Sequence, residues 1–206
     1  SGFVLLCAGL VLFAVSSVDA FDTHSLSLES DQGQYAQAGD TPIFDIGGDF
    51  TIETWAKWES TDSLQMGMLT KWHPETNNRS YALRWYDENG VKKLGVMVSE
   101  NGADFGGHSV TFNPTIGNWY HIAVSYRANT GEAKFYINGI ETAPDFSFGS
   151  RGNLHSGDGE VRAGAFDLDV VADTFDGLLD EVRLWNTVRT ATEISAHTNT
   201  ELLGSE

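Results

Sequence analysis

The sequence predicts an all-β protein folded as one antiparallel β-sandwich. Three observations favour this class: apolar and polar residues alternate along short segments, turn-forming residues separate these segments, and helical periodicity is almost absent. Glycine is abundant with 22 residues and proline is scarce with 4, as in proteins built from many short strands and tight turns. Hydrophobic residues form 41% of the 206-residue chain, which is enough for a large packed core.

The charge balance excludes several classes of partner. Twelve Lys and Arg residues stand against 29 Asp and Glu residues, so the net charge is −17 at pH 7. Binding to a nucleic acid backbone or to an anionic membrane surface requires the opposite sign, so neither is predicted. The single cysteine, Cys7, lies in the apolar start of the chain and cannot build a disulfide framework or a zinc site.

The first 20 residues leave two interpretations open. Residues 3–15 are apolar without interruption, and Val18-Asp19-Ala20 offers small residues for cleavage, as in a secretory signal peptide. Alternatively, residues 2–18 remain attached as one uncharged hydrophobic helix, which would span roughly 26 Å and fall just short of a bilayer core. Such a helix would anchor the protein to a membrane or pack inside a fibre. We expect the folded domain at residues 21–197 and a tail at 198–206.

Strand patterns follow at short intervals after the N-terminal segment. In residues 50–58, Phe50 and Ile52 share a core-facing side, whereas Glu53 and Lys57 fall on the opposite side. A short strand is also expected after the Asn138-Gly139 turn. The other predicted strands cover residues 80–86, 91–98, 119–127, 133–137, 161–166 and 175–185. Together these patterns indicate a sandwich of about ten or more strands.

Turn and capping signals mark the ends of several elements. The sequence Asp87-Glu-Asn-Gly90 predicts a hairpin between two strands, and Asn138-Gly139 predicts a second tight turn. Near the C-terminus, Thr190 and Glu193 have the spacing of a capping box, which predicts a short helix reaching about His197.

Four segments of the chain resemble a known family. They have the order and spacing of the signature strands of laminin-G-like, concanavalin A-like lectin/glucanase domains, whose fold is a jelly roll. The resemblance covers about residues 24–195 and implies a jelly-roll sandwich ending in a strand and a short helix. The segments are Asp49-Phe-Thr-Ile-Glu-Thr-Trp-Ala-Lys57, Asn118-Trp-Tyr-His-Ile-Ala-Val-Ser-Tyr126, Lys134-Phe-Tyr-Ile-Asn-Gly139 and Phe175-Asp-Gly-Leu-Leu-Asp-Glu-Val-Arg-Leu-Trp-Asn186.

The sequence lacks the carboxylate pattern of the family's glycan hydrolases. Those relatives carry Glu-x-Asp-x-x-Glu on one strand, which places three carboxylates on one face as nucleophile, helper and acid/base. Here Glu29 and Asp31 begin such a pattern, but Gln34 stands where the second Glu is needed. We therefore predict that the protein is not an enzyme.

The resemblance also implies a structural calcium ion. Carried over from the family, its ligands would be Asp180, a backbone carbonyl near Gly48 and the side chain of Asp31, all oxygen donors that suit this hard cation. Asp180 shares a strand face with core residues, which is costly for a carboxylate unless it is coordinated or hydrogen-bonded. The alternative is that Asp180 accepts hydrogen bonds from backbone amides. A second acidic loop, with Asp167, Asp169, Asp173 and Asp176, is either a rim calcium site or simply solvated.

A polar and aromatic segment at residues 71–80 is the candidate ligand site. Sugar binding needs aromatic platforms beside hydrogen-bonding side chains. Asn78-Arg-Ser80 is also an N-glycosylation sequon, so Asn78 is a candidate glycan carrier that would compete with a ligand there. The alternative is an ordinary polar loop with a packing tryptophan. The candidate ligand-binding residues are Trp72, His73, Asn77 and Arg79, with Arg84 and Tyr86 on the adjoining strand.

These features predict a secreted or surface-displayed recognition module that binds a glycan or an extracellular protein without catalysis. The prediction depends on the family resemblance, the signal-like N-terminus and the missing catalytic carboxylates. A second hypothesis is a structural subunit of an extracellular fibre or surface assembly. In that case the retained N-terminal helix would drive homo-oligomer or filament formation, and membrane contact would occur only through residues 2–18.

Overall fold

The chain forms two antiparallel sheets packed face to face. The computed structural model describes residues 2–4, 25–149, 152–166 and 173–198. In these ranges the strands are β1 (Gly2–Val4), β2 (Leu26–Leu28), β3 (Ala36–Ala38), β4 (Phe50–Trp58), β5 (Gln65–His73), β6 (Asn78–Glu88), β7 (Val91–Val98), β8 (Gly106–Thr111), β9 (Trp119–Arg127), β10 (Glu132–Ile137), β11 (Ile140–Thr142), β12 (Phe146–Phe148), β13 (Val161–Ala163) and β14 (Gly177–Trp185); one helix, α1 (Ala191–His197), follows.

The strand order is that of a jelly-roll sandwich, as predicted. The first sheet has the order β1-β14-β4-β9-β10-β11, and β2 also pairs with β14. The second sheet has the order β12-β8-β7-β6-β5-β13-β3. All strand pairs described are antiparallel. Along each strand, successive side chains point alternately to the interior of the sandwich and to the outer face of the sheet.

The hairpin turns form where the sequence predicts them. Asn89 and Gly90 join β6 to β7 with φ values of 55° and 85°, and Asn138 and Gly139 join β10 to β11 with 52° and 76°. Two successive residues with positive φ make a type I′ turn, whose twist matches that of the flanking strands. Asparagine and glycine adopt this backbone at low cost, and this is the physical basis of the signal.

The core between the sheets is organised around large aromatic side chains. Trp58 is completely buried and lies with its ring centroid 5.7 Å from Phe112, 6.2 Å from Tyr120 and 5.3 Å from Phe175. The wider core consists of the alternating residues of both sheets, including Ile52, Leu83, Trp85, Val96, Ile122 and Val124. This confirms the assignment of the signature-strand residues Phe50 and Ile52 to the interior.

The C-terminal helix has the predicted cap and covers part of the first sheet. The Thr190 hydroxyl accepts a hydrogen bond from the Glu193 amide at 3.3 Å, and the Glu193 carboxylate accepts one from the Thr190 amide at 2.7 Å. Ile194 is fully buried and packs with Ala123 and Tyr136 on the outer face of the first sheet.

Glu53 lies in a different environment from the one that alternation predicts. It is on the outer face of the first sheet, yet it is fully buried, and its carboxylate lies 3.4 Å from Nε2 of the equally buried His121. Its cross-strand neighbour on β9 is Ala123, which the helix covers through Ile194. The outer face of this sheet is therefore not a solvent face at Glu53, and next to it Ile194 of the helix packs on Ala123.

The described part of the N-terminal segment is a strand. Residues 2–4 pair with Arg183–Trp185 of β14. For these three residues the structure differs from the hydrophobic helix that was one of the two interpretations of residues 2–18. Residues 5–20 lie outside the described residues, so the signal peptide and the retained helix both stay predictions. Within the described ranges, no helix is long and apolar enough to cross a membrane.

Candidate functional site

The predicted rim loop is in fact a hairpin, and only its turn is a loop. Lys71, Trp72 and His73 end β5, and Asn78 begins β6; the residues between them form a 3₁₀ turn closed by Asn77 at φ 53°. The register pairs Trp72 with Arg79 and His73 with Asn78. The polar composition of this segment predicts a loop, but the strands continue through it, with a bulge between Lys71 and Trp72 that breaks the alternation.

His73 is held in a buried polar network and is not placed to meet a ligand. Nδ1 lies 3.0 Å from an Arg162 amine and Nε2 lies 2.9 Å from the Glu160 carbonyl oxygen. An arginine only donates, so Nδ1 accepts and Nε2 carries the proton. Arg162 in turn donates to the Glu160 carboxylate at 2.6 and 3.1 Å. The network ties β5 to β13, which gives His73 a structural role.

Replacing Glu160 by glutamine is expected to reduce the acid sensitivity of this network. Burial alone would raise the pKa of Glu160, but hydrogen bonds from Arg162 and from its own backbone amide lower it below its usual value. Because the pKa of Glu160 is lower in the folded state, its ionised carboxylate stabilises the fold at any pH above its pKa in the unfolded chain. This stabilisation is lost as the pH falls through the pKa in the folded state. The side chain is 32% exposed, so the expected contribution is about 1 kcal/mol or less.

Chemical unfolding of the wild type and Glu160→Gln at about pH 7 and at about pH 3 measures this contribution. The difference in unfolding free energy between the two proteins is expected to be present at neutral pH and to shrink in acid. A difference that stays constant across this range would contradict the assignment of the lowered pKa to the Arg162 pair.

The sequon asparagine is packed against a neighbouring loop. Asn78 Nδ2 donates to the Asp158 carboxylate at 2.5 Å, and a side chain on Gly157 would collide with the side-chain amide oxygen Oδ1 of Asn78. Nδ2 is the atom that would carry a glycan, so the folded loop at residues 157–158 would have to move to make room for one. Asn77 is exposed and serves the turn through its left-handed backbone.

The three residues predicted to hold calcium do not come together. Asp180 lies opposite Trp55 in the register of β14 and β4, whereas Gly48 precedes Phe50 at the far end of β4. Trp55 and Gly48 are seven residues apart, which corresponds to about 23 Å along an extended chain. Asp31 lies near the start of β14, where its neighbour Ser30 donates to Asp176. The carried-over ligand set therefore does not fit a shared ion.

Asp180 instead supports a bulge in its own strand. Its Oδ1 accepts a hydrogen bond from the Glu181 amide at 2.8 Å, where Glu181 has a φ of 49° and the register shifts before Arg183. This is the alternative in which the carboxylate binds a backbone amide. In the described ranges no group of three or more His, Cys, Asp or Glu side chains is arranged to hold a metal.

The acidic loop is only partly described. Asp167 and Asp169 lie outside the described residues. Asp173 accepts a hydrogen bond from the Gln65 amide group at 2.6 Å, and Asp176 accepts one from the Ser30 amide at 3.2 Å. These two carboxylates therefore connect the loop to β5 and to the chain before β3.

The outer face of the second sheet carries a continuous series of aromatic rings, here named the aromatic strip. Neighbouring ring centroids in the series lie 5.6 to 6.0 Å apart: 6.0 Å from Phe166 to Trp72, 5.6 Å from Trp72 to Phe105, 6.0 Å from Phe105 to Phe148 and 5.9 Å from Phe148 to Phe146. Trp72 and Phe166 are buried, whereas Phe105, Phe148 and Phe146 are 38%, 37% and 47% exposed. The strip thus has an anchored end and an exposed end.

Three cations lie against these rings. The Arg79 guanidinium is 5.9 Å from the Trp72 ring and 5.8 Å from the Phe105 ring, and Lys93 lies 5.1 Å from Phe146. Arg84 lies 4.8 Å from Phe166, and its other ring neighbour is Tyr86 at 4.4 Å. Cations over ring faces are attracted by the ring quadrupole. The face therefore combines apolar and positively charged surface.

Arg84 is the most enclosed of these cations. Burial lowers its pKa, and the negative charges of Asp173 and Glu88, together with Tyr86, oppose this effect. Its Nη1 donates to the Gln65 side chain. The alternation of β6 explains the position, since Leu83 and Trp85 point into the core and Arg84 and Tyr86 point outward.

Glycines on the neighbouring strands let the rings lie close to the sheet. A Cβ atom on Gly95 would lie 2.9 Å from the Tyr86 ring, and one on Gly107 would lie 3.3 Å from the Phe148 ring. Gly67 similarly admits the backbone of Ala165, which positions the following Phe166. Without these side chains, the rings can present their faces outward.

Four of the six predicted ligand residues share this face, and the aromatic residues beside them were not predicted. Trp72, Arg79, Arg84 and Tyr86 belong to it. The other members lie on β7, just before β8, on β12 and at residue 166, too far from residues 71–86 in sequence for a local pattern to connect them. The sequence does contain one signal for two of them. In Asp-Phe-Ser-Phe-Gly, residues 145–149, two phenylalanines alternate with polar or small residues and therefore fall on one side of a short strand. The other members are Phe105, Phe146, Phe148, Phe166 and Lys93.

The two-sheet architecture defines a jelly-roll sandwich, and sequence comparison agrees with this class. Residues 30–195 match the family model described as the concanavalin A-like lectin/glucanases superfamily. The match covers most of the chain, so the chain belongs to this superfamily, and the resemblance to laminin-G-like domains is confirmed. A search of curated proteins found no match.

Several solved structures share the fold at low sequence identity. Domain 4 of the extracellular arabinanase AbnA from Geobacillus stearothermophilus, solved with arabinotriose, is 18% identical with a TM-score of 0.61, covering 91% of this chain and 82% of that one. The CBM40 domain of the Ruminococcus gnavus IT-sialidase, bound to α2,3 sialyllactose, is 12% identical with a TM-score of 0.63, covering 85% and 96%.

A third solved structure with this fold binds a protein. The binding domain of botulinum neurotoxin DC, in complex with rat synaptotagmin II, is 10% identical with a TM-score of 0.53. The match covers 76% of this chain and 37% of that one. At these identities the three likenesses establish the fold alone.

Proposed function

We propose that this protein is a non-catalytic saccharide-binding module of a secreted or surface-displayed protein, and that the aromatic strip is its binding surface. The observation that carries the proposal is the exposed end of the strip, where three neighbouring phenylalanine rings, Phe105, Phe148 and Phe146, are more than a third exposed. Exposed aromatic groups that adjoin one another mark binding surfaces more often than scattered ones do. Sugar ring faces stack on such platforms.

The polar groups around the strip supply the second requirement of a sugar site. Sugar hydroxyls need hydrogen-bond partners beside the stacking surface. Arg79, Arg84 and Lys93 border the rings, and the Tyr86 hydroxyl projects from the same face. From Tyr86 on β6 to Phe146 on β12 there are three strand-to-strand steps, or about 14 Å. This width favours an oligosaccharide over a single sugar.

The non-catalytic part of the proposal is supported by the carboxylates near the strip. Glu88 pairs with Lys93 at 2.7 Å, and Asp173 accepts a hydrogen bond from Gln65. The hydrolysis of a glycosidic bond requires two carboxylates across an open cleft, whereas both of these are engaged by neighbouring side chains. The fold relatives solved with arabinotriose and sialyllactose add weight to a saccharide ligand.

Alanine at Phe148 or Phe146 is expected to weaken saccharide binding at least tenfold, or about 1.4 kcal/mol. The full chain is screened on a glycan array, and the affinity for the best ligand is measured by calorimetry. Ile140→Ala is the matched control, because Ile140 is 71% exposed on an edge strand of the other sheet. Equal affinities for wild type, Phe148→Ala and Phe146→Ala would overturn the assignment of the site.

A blank array would favour the protein ligand instead. In that outcome the chain is tested for capture of an extracellular protein, and dependence of that capture on Phe148 would keep the strip as the interface while rejecting the saccharide. Gly95→Ala offers an independent probe of the platform. The added methyl group lies 2.9 Å from the tip of the Tyr86 ring, so the ring must tilt while the backbone stays in place.

A further inference from the structure

We infer that the saccharide recognised by the aromatic strip carries a carboxylate, and that Arg79 and Arg84 bind it. This inference rests on the proposed function and narrows its ligand class. The chain has only 12 Lys and Arg residues and a net charge of −17. Three of these cations nevertheless border the strip, and only one of them, Lys93, forms an ion pair with a carboxylate of the described residues, that of Glu88.

Neither arginine has a described carboxylate within ion-pair distance, a property that they share with Lys57, Lys92, Arg127 and Arg189. Lys71, Lys93, Lys134, Arg162 and Arg183 each pair with a carboxylate within 4 Å. Arg79 donates through Nη1 to the carbonyl oxygens of Gly102 and Ala103 at 3.2 and 3.0 Å. Both are neutral acceptors, so its charge is left uncompensated.

Arg84 also has hydrogen-bonding capacity to spare. Nη1 donates to the neutral Gln65 side chain, and Nε is buried without a hydrogen-bond partner in the described structure. A guanidinium group has five N–H donors. Nη2 has no hydrogen-bond partner among the described residues, so a ligand carboxylate can accept hydrogen bonds from it, whereas the buried Nε is out of reach.

The aromatic rings orient these guanidinium groups. A guanidinium group that lies over a ring keeps its N–H edge pointing sideways, where a carboxylate can accept two parallel hydrogen bonds. Arg84 lies between the Tyr86 and Phe166 rings at 4.4 and 4.8 Å. A sugar stacked on the strip would bring a carboxylate substituent to this edge. Lysine at the same positions would lack the planar fork.

The charge pattern favours a saccharide of low charge density over a polyanion. Two arginines suit one or two carboxylates, whereas a highly sulfated chain or a nucleic acid would meet the repulsion of a net charge of −17. We therefore commit to uronate- or sialate-type saccharides. A sulfated oligosaccharide that binds more tightly than every carboxylate probe would overturn this choice.

The test compares acidic probes with neutral counterparts of the same size. The probes are trigalacturonate with its carboxyl-reduced form, and 3′-sialyllactose with lactose, titrated into the full-length chain. At least one acidic probe is expected to bind at least tenfold more tightly than its neutral counterpart. In Arg79→Gln and Arg84→Gln this preference should fall to about twofold or less. In contrast, Phe148→Ala should weaken the binding of the acidic probe and of its neutral counterpart by the same factor.

Controls separate the inference from the proposed function and from misfolding. Lys134→Gln removes an exposed cation on the other sheet and should leave the preference intact. Arg84→Lys keeps the charge but not the fork and should lose the preference. Arg79→Gln carries the test alone if Arg84→Gln melts far below the wild type.

Each outcome decides one of the two claims. Neutral and acidic probes bound equally, with both affinities dependent on Phe148, would leave the proposed function standing and reject the inference. An acidic preference that survives Arg79→Gln would also reject it. A chain that binds no saccharide in the set, or on the array, would reject both.

Discussion

Replacing His121 by leucine is expected to lower the free energy of unfolding by about 3–5 kcal/mol. Leucine fills the space of the imidazole but leaves the Glu53 carboxylate with no partner, and Glu53 is fully buried. At present Nε2 of His121 lies 3.4 Å from the carboxylate, while neither side chain makes a hydrogen bond to another described residue. Arg183, the neighbour of Glu53 on β14, directs its guanidinium to Glu181.

The double variant Glu53→Leu/His121→Leu is the matched control. Replacing both members of a buried charged pair by apolar residues of similar volume is often neutral or stabilising. The double variant should therefore be closer to the wild type than His121→Leu is. Urea unfolding followed by tryptophan fluorescence measures both, with an unchanged m-value as the sign that only stability has changed. If the double variant were as unstable as the single one, the loss would be due to packing and not to the unpaired carboxylate.

Alanine at Trp58 is expected to lower the free energy of unfolding by about 3–5 kcal/mol. The indole contacts Phe112, Tyr120 and Phe175, which come from three separate segments of the chain. Truncation would leave a large cavity where the end of the first sheet meets the second, and the surrounding rings can fill it only in part. A loss of this size is a large share of the stability of a typical domain.

Trp55→Ala is the control on the same strand. Trp55 lies on the outer face of the first sheet and is half-buried, with its ring centroid 5.5 Å from His121. The variant Trp55→Ala removes the same chemical group from a less enclosed position. It should therefore lower the free energy of unfolding clearly less than Trp58→Ala does. Thermal and urea unfolding of the two variants checks this order. Equal losses would contradict the placement of Trp58 at the centre of the core.

Much of the fold follows from local pattern. Alternation in residues 50–58 places Phe50 and Ile52 in the core, as the structure confirms. The Asn-Gly pairs form the predicted turns because few other residues accept two successive positive φ values. The capping box at Thr190 and Glu193 is equally local, since both of its hydrogen bonds join residues three apart. Signals of this kind need no knowledge of the rest of the chain.

Prediction of the candidate site from sequence was less complete. Composition pointed to Trp72, Arg79, Arg84 and Tyr86, and register places all four on one face. It also pointed to His73, which the structure holds between Arg162 and Glu160. The difference between a ligand contact and a structural histidine depends on what another strand places beside it, and a single segment does not contain that information.

The sequence by itself determined the fold class, the family, the turns and the side of each main strand, because these depend on periodicity and backbone preference over a few residues. Only the tertiary structure decided which outer faces are covered. It buried Glu53 on the outer face of the first sheet, separated Asp180 from Gly48 and Asp31, and joined rings from four distant segments into the aromatic strip. Burial and proximity depend on strand register and on long-range packing, and these are properties of the whole chain.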